Sequence, residues 1–186
     1  MLAFDGPLPI RPRRVLVAGV SGAGKTTLAR QIASVIDAPH TEIDGLYHGP
    51  NWVPRDAFLD DVRTLVQAPT WVTEWQYRAA RPTLTAHADL LVWLDLPFFR
   101  VTLPRVVRRT VRRRMRREEL WNGNVEPPLR SILTERDHIV RWAVRTRKKY
   151  DALPVRLADE RPDLAIVRLR SPREVRAWVA GPLARA

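Results

Sequence analysis

The chain has 186 residues, enough for one domain with a sizeable core, and 45% hydrophobic content is ordinary for a globular protein. It contains no cysteine, which excludes a disulfide framework, a thiol nucleophile and a cysteine-ligated metal. The formal net charge of +12 is less ordinary and suits nucleic acid, an anionic membrane surface or several phosphates as partners. The first seven residues do not resemble a secretion signal, and the longest apolar-looking run, Leu90 to Leu94, is too short for a bilayer, so we expect a cytoplasmic protein.

The first element in chain order is a strand over about residues 14 to 18, which runs into the sequence Gly-Val-Ser-Gly-Ala-Gly-Lys-Thr at 19 to 26. A helix follows and ends near Ile36, and this order of strand, glycine-rich motif and helix predicts a phosphate-binding loop. We expect Lys25 to bind the β- and γ-phosphates and the Thr26 hydroxyl to ligate Mg²⁺. The other predicted members of the nucleotide site are Gly19, Ser21, Gly22, Ala23, Gly24 and Thr27.

Acidic residues follow the next two predicted strands. His40 to Asp44 is expected to be the second strand, and alternation along it would place Glu42 and Asp44 on one face. The third strand, residues 70 to 74, ends in Glu74. Because ligands collect beyond the carboxyl ends of parallel strands, we expect Glu42 and Glu74 to serve Mg²⁺ and Asp44 to accept the proton of an attacking hydroxyl. The alternative is that one acid of the second strand caps a loop.

The fourth predicted strand covers Leu90 to Leu94 and leads into Asp95, which competes with Glu74 for the magnesium role. Strands that alternate with helices indicate parallel crossovers, and hence one α/β domain over residues 1–186. The remaining predicted elements are helices over about 55 to 67, 98 to 119 and 129 to 150, a strand over 164 to 169 and a helix over 172 to 180.

Arginines are concentrated in the predicted helix after the fourth strand. At about 100° per residue, its apolar stripe would consist of Leu103, Val107, Val111 and Met115. The opposite side would carry Arg105, Arg109, Arg112 and Arg116. One interpretation is a solvated basic surface, and the other is a set of guanidinium groups that stabilise the transferring phosphoryl group. In the second interpretation the catalytic arginines are Arg109, Arg113 and Arg116, and Arg109 also binds the nucleotide.

Four segments resemble small P-loop kinases, and in particular the adenylate-kinase-like proteins labelled DNA topology modulation proteins. These segments cover residues 42 to 48, 50 to 52, 71 to 72 and 117 to 124, and Arg-Glu-Glu-Leu-Trp-Asn-Gly-Asn at 117 to 124 is the most specific. The resemblance extends over nearly the whole chain. It implies a three-layer α/β/α sandwich with a five-stranded parallel sheet of order 2-3-1-4-5. It also implies a core over about 13–104 and 151–186, a basic helical lid over about 105–128, and adenine contacts at Ser171, Pro172 and Arg173.

One departure from that family lies at the end of the third strand, where Trp75 stands in place of a glycine. Trp75 either forms an aromatic wall with Trp52 and Tyr77 against a planar substrate, or packs in the core. One of three arginines near the strand ends that border the acceptor site is expected to bind an acceptor phosphate: Arg55, Arg78 or Arg81. The predicted substrate-binding set is therefore Asp44, Trp52, Trp75, Tyr77 and Arg78.

These patterns and the resemblance predict an ATP- and Mg²⁺-dependent kinase that transfers the γ-phosphate to a small molecule, either a nucleotide, a nucleoside or another hydroxyl compound. One alternative is a nucleotide-gated DNA-binding protein, which is less favoured because the basic cluster lies where the lid is expected. Another is a nucleotide-binding protein without transfer activity. No membrane partner is expected, and the acceptor and the oligomeric state stay open.

Overall fold

The computed structural model describes residues 1–116, 118–124 and 139–186, and it contains a five-stranded parallel sheet. The strands are β1 (Arg14–Gly19), β2 (His40–Thr41), β3 (Trp71–Glu74), β4 (Leu90–Leu94) and β5 (Ala165–Leu169). Their order is β2-β3-β1-β4-β5, which confirms the predicted sheet. Because every pair is parallel, the carboxyl ends of all five strands meet at one edge.

Helices cover both faces of this sheet, as predicted. Alternation along β1 shows why: Val15 and Val17 belong to one buried apolar cluster, whereas Leu16 and Ala18 belong to the other. Among the described residues, no helix combines the length and the apolar character needed to cross a membrane. The helices are α1 (Lys25–Ile36), α2 (Ile43–Tyr47), α3 (Phe58–Gln67), α4 (Arg81–His87), α5 (Leu103–Met115), α6 (Ile139–Arg145), α7 (Leu153–Glu160) and α8 (Pro172–Trp178).

The predicted second strand is too long. Only His40 and Thr41 pair with β3, and Glu42 becomes the residue before α2, whose first residue Ile43 is fully buried. Burial of that isoleucine turns the chain inward three residues earlier than the alternating pattern predicts. The shared strand face of Glu42 and Asp44 was therefore a wrong prediction.

Two short helices, α4 and α7, were missed. Each carries proline in its first turn, Pro82 and Pro154 respectively. Proline is favourable at the first helical positions, where no N–H partner is needed, so both prolines fit the starts of these helices.

The two long helices predicted after β4 are shorter where they are described. A π-helical turn, Phe98–Thr102, precedes α5. Of the helix predicted over 129 to 150, the described part contains α6, and residues 125–138 lie outside the described residues. The predicted lid, 105–128, is therefore described only over 105–116 and 118–124.

Candidate active site

The loop between β1 and α1 turns sharply at Gly22 and Gly24, where φ is 81° and 97°. A Cβ atom on Gly22 would lie 2.3 Å from Val106 Cγ2 and 2.8 Å from the Thr102 carbonyl oxygen, so no side chain fits there. Gly24 caps α1 in the left-handed conformation. The loop therefore presents the N-terminus of α1, with its unpaired amides and positive dipole end, at the carboxyl edge of the sheet.

Lys25 is the first residue of α1, and its ammonium group is buried at this edge. Its Nζ donates a hydrogen bond to the Val20 carbonyl at 3.3 Å. Burial lowers the pKa of Lys25 to about 8, although the negative charges of Asp44 and Glu74 act in the opposite direction. The positive charge of Arg109 lowers it further. One buried cation is thus within electrostatic reach of two acids and an arginine of α5.

Glu74 is buried at the end of β3 and is bound by three groups. Its carboxylate accepts a hydrogen bond from the Ile43 N–H at 3.1 Å, contacts His40 Nε2 at 3.3 Å, and interacts with the Thr26 hydroxyl. Burial alone would raise the pKa of Glu74, but the bonds from His40, Ile43 and Thr26 outweigh it and hold the pKa below its usual range. Glu74 is therefore an ionised carboxylate that lies against the hydroxyl predicted to ligate Mg²⁺.

Two other acids near this edge are bound by arginines. Glu42 forms an ion pair with Arg30 and accepts a hydrogen bond from Trp121 Nε1 at 2.9 Å. Asp95 accepts bonds from Arg168 Nε at 2.9 Å and Nη2 at 2.5 Å. Within the described ranges, no group of three or more histidines and acids can hold a metal ion. The oxygens of Thr26 and Glu74 nevertheless suit Mg²⁺, which commonly takes only one or two protein ligands together with phosphate oxygens and water.

Asp44 lies in the first turn of α2 and is bound by the segment after β3. It accepts hydrogen bonds from Tyr77 Oη at 2.6 Å and from Gln76 Nε2 at 2.9 Å. Tyr77 Oη also contacts His48 Nε2 at 3.2 Å. Burial and the adjacent negative charge of Asp44 raise the pKa of Tyr77, so its hydroxyl remains a donor. Two donors thus fix the orientation of the carboxylate predicted to act as the base.

An aromatic cluster borders Asp44. Tyr77 stacks on Tyr47 with ring centroids 3.9 Å apart, and His48 lies against Trp52 at 5.1 Å and Trp121 at 6.4 Å. This aromatic cluster, defined as Tyr47, His48, Trp52, Tyr77 and Trp121, includes two of the predicted substrate-binding aromatics.

Trp75 lies outside that cluster. Its side chain is 4% exposed, belongs to the apolar core and donates a hydrogen bond to the Thr85 hydroxyl at 3.0 Å. The structure therefore places Trp75 as a packed aromatic, and the wall of Trp52, Trp75 and Tyr77 is not formed.

The turn from Trp121 to Asn124 binds the loop after α2. Asn124 is 3% exposed, donates to the Gly49 carbonyl at 2.9 Å and accepts at Oδ1 from the Trp52 N–H at 2.9 Å. Asn122 Nδ2 donates to the His48 carbonyl. These partners are more than 70 positions apart in sequence, so no local pattern indicates the contact.

A cavity of about 490 Å³ opens between the phosphate loop, α1, α5 and α8. Apolar side chains line part of it, and arginines of α5 line another part. Of the three residues that the resemblance assigns to adenine, Pro172 lines this cavity, whereas Ser171 caps α8 by accepting from the Glu174 N–H at 3.1 Å, and Arg173 is outside the lining. The apolar part of the lining includes Leu94, Leu96 and Val175, and the arginines include Arg105 and Arg109.

The predicted orientation of α5 was wrong. Its buried residues are Val106 and Thr110, whereas Val107 and Met115 are 41% and 78% exposed. The reason is the close packing of the start of α5 against Gly22, which fixes which side of the helix faces inward. Two of the predicted catalytic arginines, Arg109 and Arg113, are half-buried, and the third, Arg116, is exposed.

Comparison with a solved structure supports the same architecture. The gluconokinase from Sinorhizobium meliloti 1021 superposes with a TM-score of 0.51 at 21% identity, over 94% of this chain and 93% of that one. This chain has the P-loop kinase fold. No protein-family model matches the sequence.

Two curated relatives are P-loop ATPases. The chain is 30% identical over 134 residues to the ATP-dependent protease ATPase subunit HslU of Methylobacterium radiotolerans, which is 69% of this chain and 30% of that protein. It is 33% identical over 82 residues to HslU of Lactobacillus helveticus, or 43% of this chain and 17% of that protein. The chain thus spans less than a third of either relative.

The three arginines expected near the acceptor have different surroundings. Arg78 is exposed, and Arg55 pairs with Asp61 at 2.8 Å. Arg81 packs against Trp75, with its guanidinium carbon 5.0 Å from the ring centroid.

Sequence reasoning also missed three side chains near Asp44, because neither their spacing nor their residue type marks them. These are Gln76, Lys149 and Tyr150.

Proposed function

We propose that this protein is an ATP- and Mg²⁺-dependent phosphotransferase that moves the γ-phosphate of ATP to a hydroxyl group of a small molecule. One observation carries the proposal. The ammonium of Lys25, at the start of α1, is buried and interacts electrostatically with Asp44 and Glu74. A cation that binds phosphate, an acid suited to magnesium and an acid suited to proton transfer therefore converge at one sheet edge.

The donor nucleotide is proposed to lie along the 490 Å³ cavity, with its phosphates on the loop. Leu94, Leu96 and Val175 offer apolar surface to the base, and Arg105 and Arg109 offer guanidinium groups to phosphate oxygens. Thr26 and Glu74 would hold Mg²⁺, directly or through water, and the ion would neutralise charge on the β- and γ-phosphates.

The acceptor is proposed to bind between Asp44 and the aromatic cluster. Asp44 accepts the proton of the attacking hydroxyl, while Gln76 and Tyr77 keep its carboxylate oriented. Lys25 stabilises charge on the transferring group from the other side. The names of the compared proteins, gluconokinase and ATPase subunit, support a small-molecule acceptor and ATP. The resemblance to DNA topology modulation proteins stays a prediction.

Two substitutions test the division of roles. Lys25→Ala should weaken binding of a non-hydrolysable ATP analogue and reduce ADP release by about 100-fold or more, because a preorganised cation is lost. Asp44→Asn should keep analogue affinity within about two-fold but lose about 100-fold in transfer, because the amide keeps one oxygen for Tyr77 and cannot take a proton.

Calorimetry of analogue binding and a coupled ADP-release assay with an acceptor panel give the two readouts. Asp56→Asn, an exposed acid in the loop before α3, is the matched control. Unchanged transfer in Asp44→Asn would remove Asp44 from the mechanism, and unchanged nucleotide affinity and turnover in Lys25→Ala would refute the proposal.

A further inference from the structure

Arg81 lies one helical turn from the residues that orient Asp44. Its backbone N–H donates to the Tyr77 carbonyl at 3.2 Å, at the start of α4. Its guanidinium carbon lies 5.0 Å from the centroid of the Trp75 ring and 5.4 Å from that of Tyr150. The Tyr150 hydroxyl in turn donates to the Trp75 carbonyl at 2.8 Å, so the two rings are tied to each other. Arg81 is therefore held on an aromatic platform of two bound side chains.

The charge on Arg81 is not compensated within the described residues. Its Nε and Nη2 are buried and donate to no acceptor there, and no carboxylate of that part of the chain pairs with it. Arg81 is half-buried, and N–H groups that are buried without an acceptor are costly, which is why such groups are normally paired. The aromatic faces offset only part of that cost.

A second cation lies on the same platform. The Lys149 ammonium is 5.8 Å from the centroid of the Tyr150 ring. Although much of the side chain is exposed, desolvation of the ammonium and the positive charge of Arg81 lower the pKa of Lys149. The negative charge of Asp44 acts in the opposite direction, so Lys149 is within electrostatic reach of the proposed base. Two like charges are thus held beside the acceptor region.

We propose that Arg81 and Lys149 form an anion subsite for the acceptor, so that the substrate of this enzyme carries a carboxylate or phosphate group besides its reacting hydroxyl. The inference rests on the proposed function, since it places the anion beside Asp44. It also gives Trp75 a role: the indole positions Arg81 from the core and does not contact substrate. A neutral acceptor without an anionic group would leave the buried N–H groups of Arg81 without a partner and is rejected for that reason.

Matched acceptor pairs test the charge requirement. ADP release is measured with glycerate against glycerol for a carboxylate, and with glucose 6-phosphate against glucose and uridine 5′-monophosphate against uridine for a phosphate. The subsite predicts at least a ten-fold higher kcat/KM for the anionic member of any pair that is turned over. A neutral acceptor used as well as its charged counterpart would overturn it.

Variants locate the effect. Arg81→Gln and Lys149→Gln should each raise the KM for the anionic acceptor about ten-fold while ATP affinity stays unchanged, and Arg81→Lys should restore part of the loss. Exposed neighbours provide the controls, Lys148→Gln for the lysine and Arg156→Gln for the arginine. Thermal unfolding of each variant reports any loss of the packing on Trp75. An unaltered KM in both folded variants would refute the subsite.

A binding measurement decides the inference even without turnover. Malonate and inorganic phosphate are titrated into Lys25→Ala, in which the phosphate loop lacks its lysine, and tryptophan fluorescence is followed because Trp75 lies under Arg81. Saturable binding that weakens ten-fold when Arg81→Gln is added to Lys25→Ala supports the subsite. If such binding is found but the wild type phosphorylates no acceptor, the kinase proposal fails and the subsite stands. Identical titrations with and without Arg81 would overturn the subsite.

Discussion

The donor half and the acceptor half of the proposed site are built in different ways. The donor half is the phosphate loop, α1 and the cavity beside them, and its shape comes from backbone conformation within eight consecutive residues, 19 to 26. The acceptor half is Asp44, the aromatic cluster and the turn from Trp121 to Asn124. Its hydrogen bonds between side chains join residues that are 29 to 79 positions apart. One half depends on glycine geometry, and the other depends on tertiary contacts.

This difference implies that the two halves fail differently. A substitution in the loop should remove nucleotide binding outright, because the backbone path itself is altered. A substitution in the acceptor half should change the affinity for the acceptor only in part, because several contacts hold that half together. The affinity for the nucleotide should not change. Lys25 connects the halves, since its charge interacts with Asp44 and Glu74 as well as with the phosphate loop.

The largest effect is expected from Gly22→Val in the donor half. The added Cβ would overlap Val106 and the Thr102 carbonyl oxygen, and valine is strained at a φ of 81°. ATP-analogue affinity, measured by calorimetry, should fall by about 100-fold or more as the loop leaves its phosphate-binding conformation. Gly6→Ala is the control, because a Cβ atom there would make only an ordinary van der Waals contact, 3.7 Å from the Ala3 carbonyl oxygen. Normal affinity in Gly22→Val would show that the loop conformation described here is not the binding one.

A smaller effect, confined to Mg²⁺-dependent turnover, separates Glu74 from Asp95. Glu74→Gln should reduce turnover by about 10- to 100-fold and raise the Mg²⁺ concentration needed, because the carboxylate beside Thr26 is lost. Asp95→Asn should stay within about two-fold, since that carboxylate is already bound by Arg168. Magnesium titrations of both variants measure this, and the reverse ranking would transfer the magnesium role to Asp95.

The buried charge of Lys25 should make stability depend on pH. The folded pKa is about 8 and the ordinary value is 10.5, so between these values the unfolded chain binds more protons and stability rises with pH. Below pH 8 the cost of burying the charge is fully present, and it amounts to about 3 kcal/mol. Urea unfolding at pH 7.5 and pH 9.5 should show the wild type gaining about 2 kcal/mol more than Lys25→Met. Equal gains in both proteins would contradict the buried ammonium.

The smallest effect is expected in the acceptor half, from Asn124→Ala. The substitution leaves the Gly49 carbonyl and the Trp52 N–H without their partners, which costs about 1 to 3 kcal/mol of stability. We expect a few-fold rise in the acceptor KM and no change in nucleotide affinity, measured in the coupled assay. Asn124→Asp keeps an oxygen that accepts from the Trp52 N–H, so its stability and its acceptor KM should lie between those of the wild type and those of Asn124→Ala. A loss of nucleotide affinity in Asn124→Ala would show that the halves are not separable.

Much of the donor half was predictable because it depends on a contiguous motif. The loop from Gly19 to Thr26 and the strands other than β2, which is shorter than predicted, were located correctly, since hydrophobic runs and glycine spacing are local signals. The acceptor half was predicted only in part, because burial of Ile43 set the start of α2. On the donor side, packing on Gly22 set the orientation of α5. Both are tertiary effects that override alternation and helical periodicity. Lys149 was missed for the same reason, since only the folded chain brings it near Asp44.

The most direct test of the central claim follows the γ-phosphate itself. The protein is incubated with Mg²⁺ and ATP labelled with ³²P at the γ-position, together with a metabolite extract depleted of nucleoside triphosphates, and the products are separated by chromatography. The proposed function predicts label in a new small molecule, and predicts its loss in Lys25→Ala. Label that stays in ATP, or that appears only as inorganic phosphate, would contradict a phosphotransferase and identify a nucleotide-binding protein or an ATPase in its place.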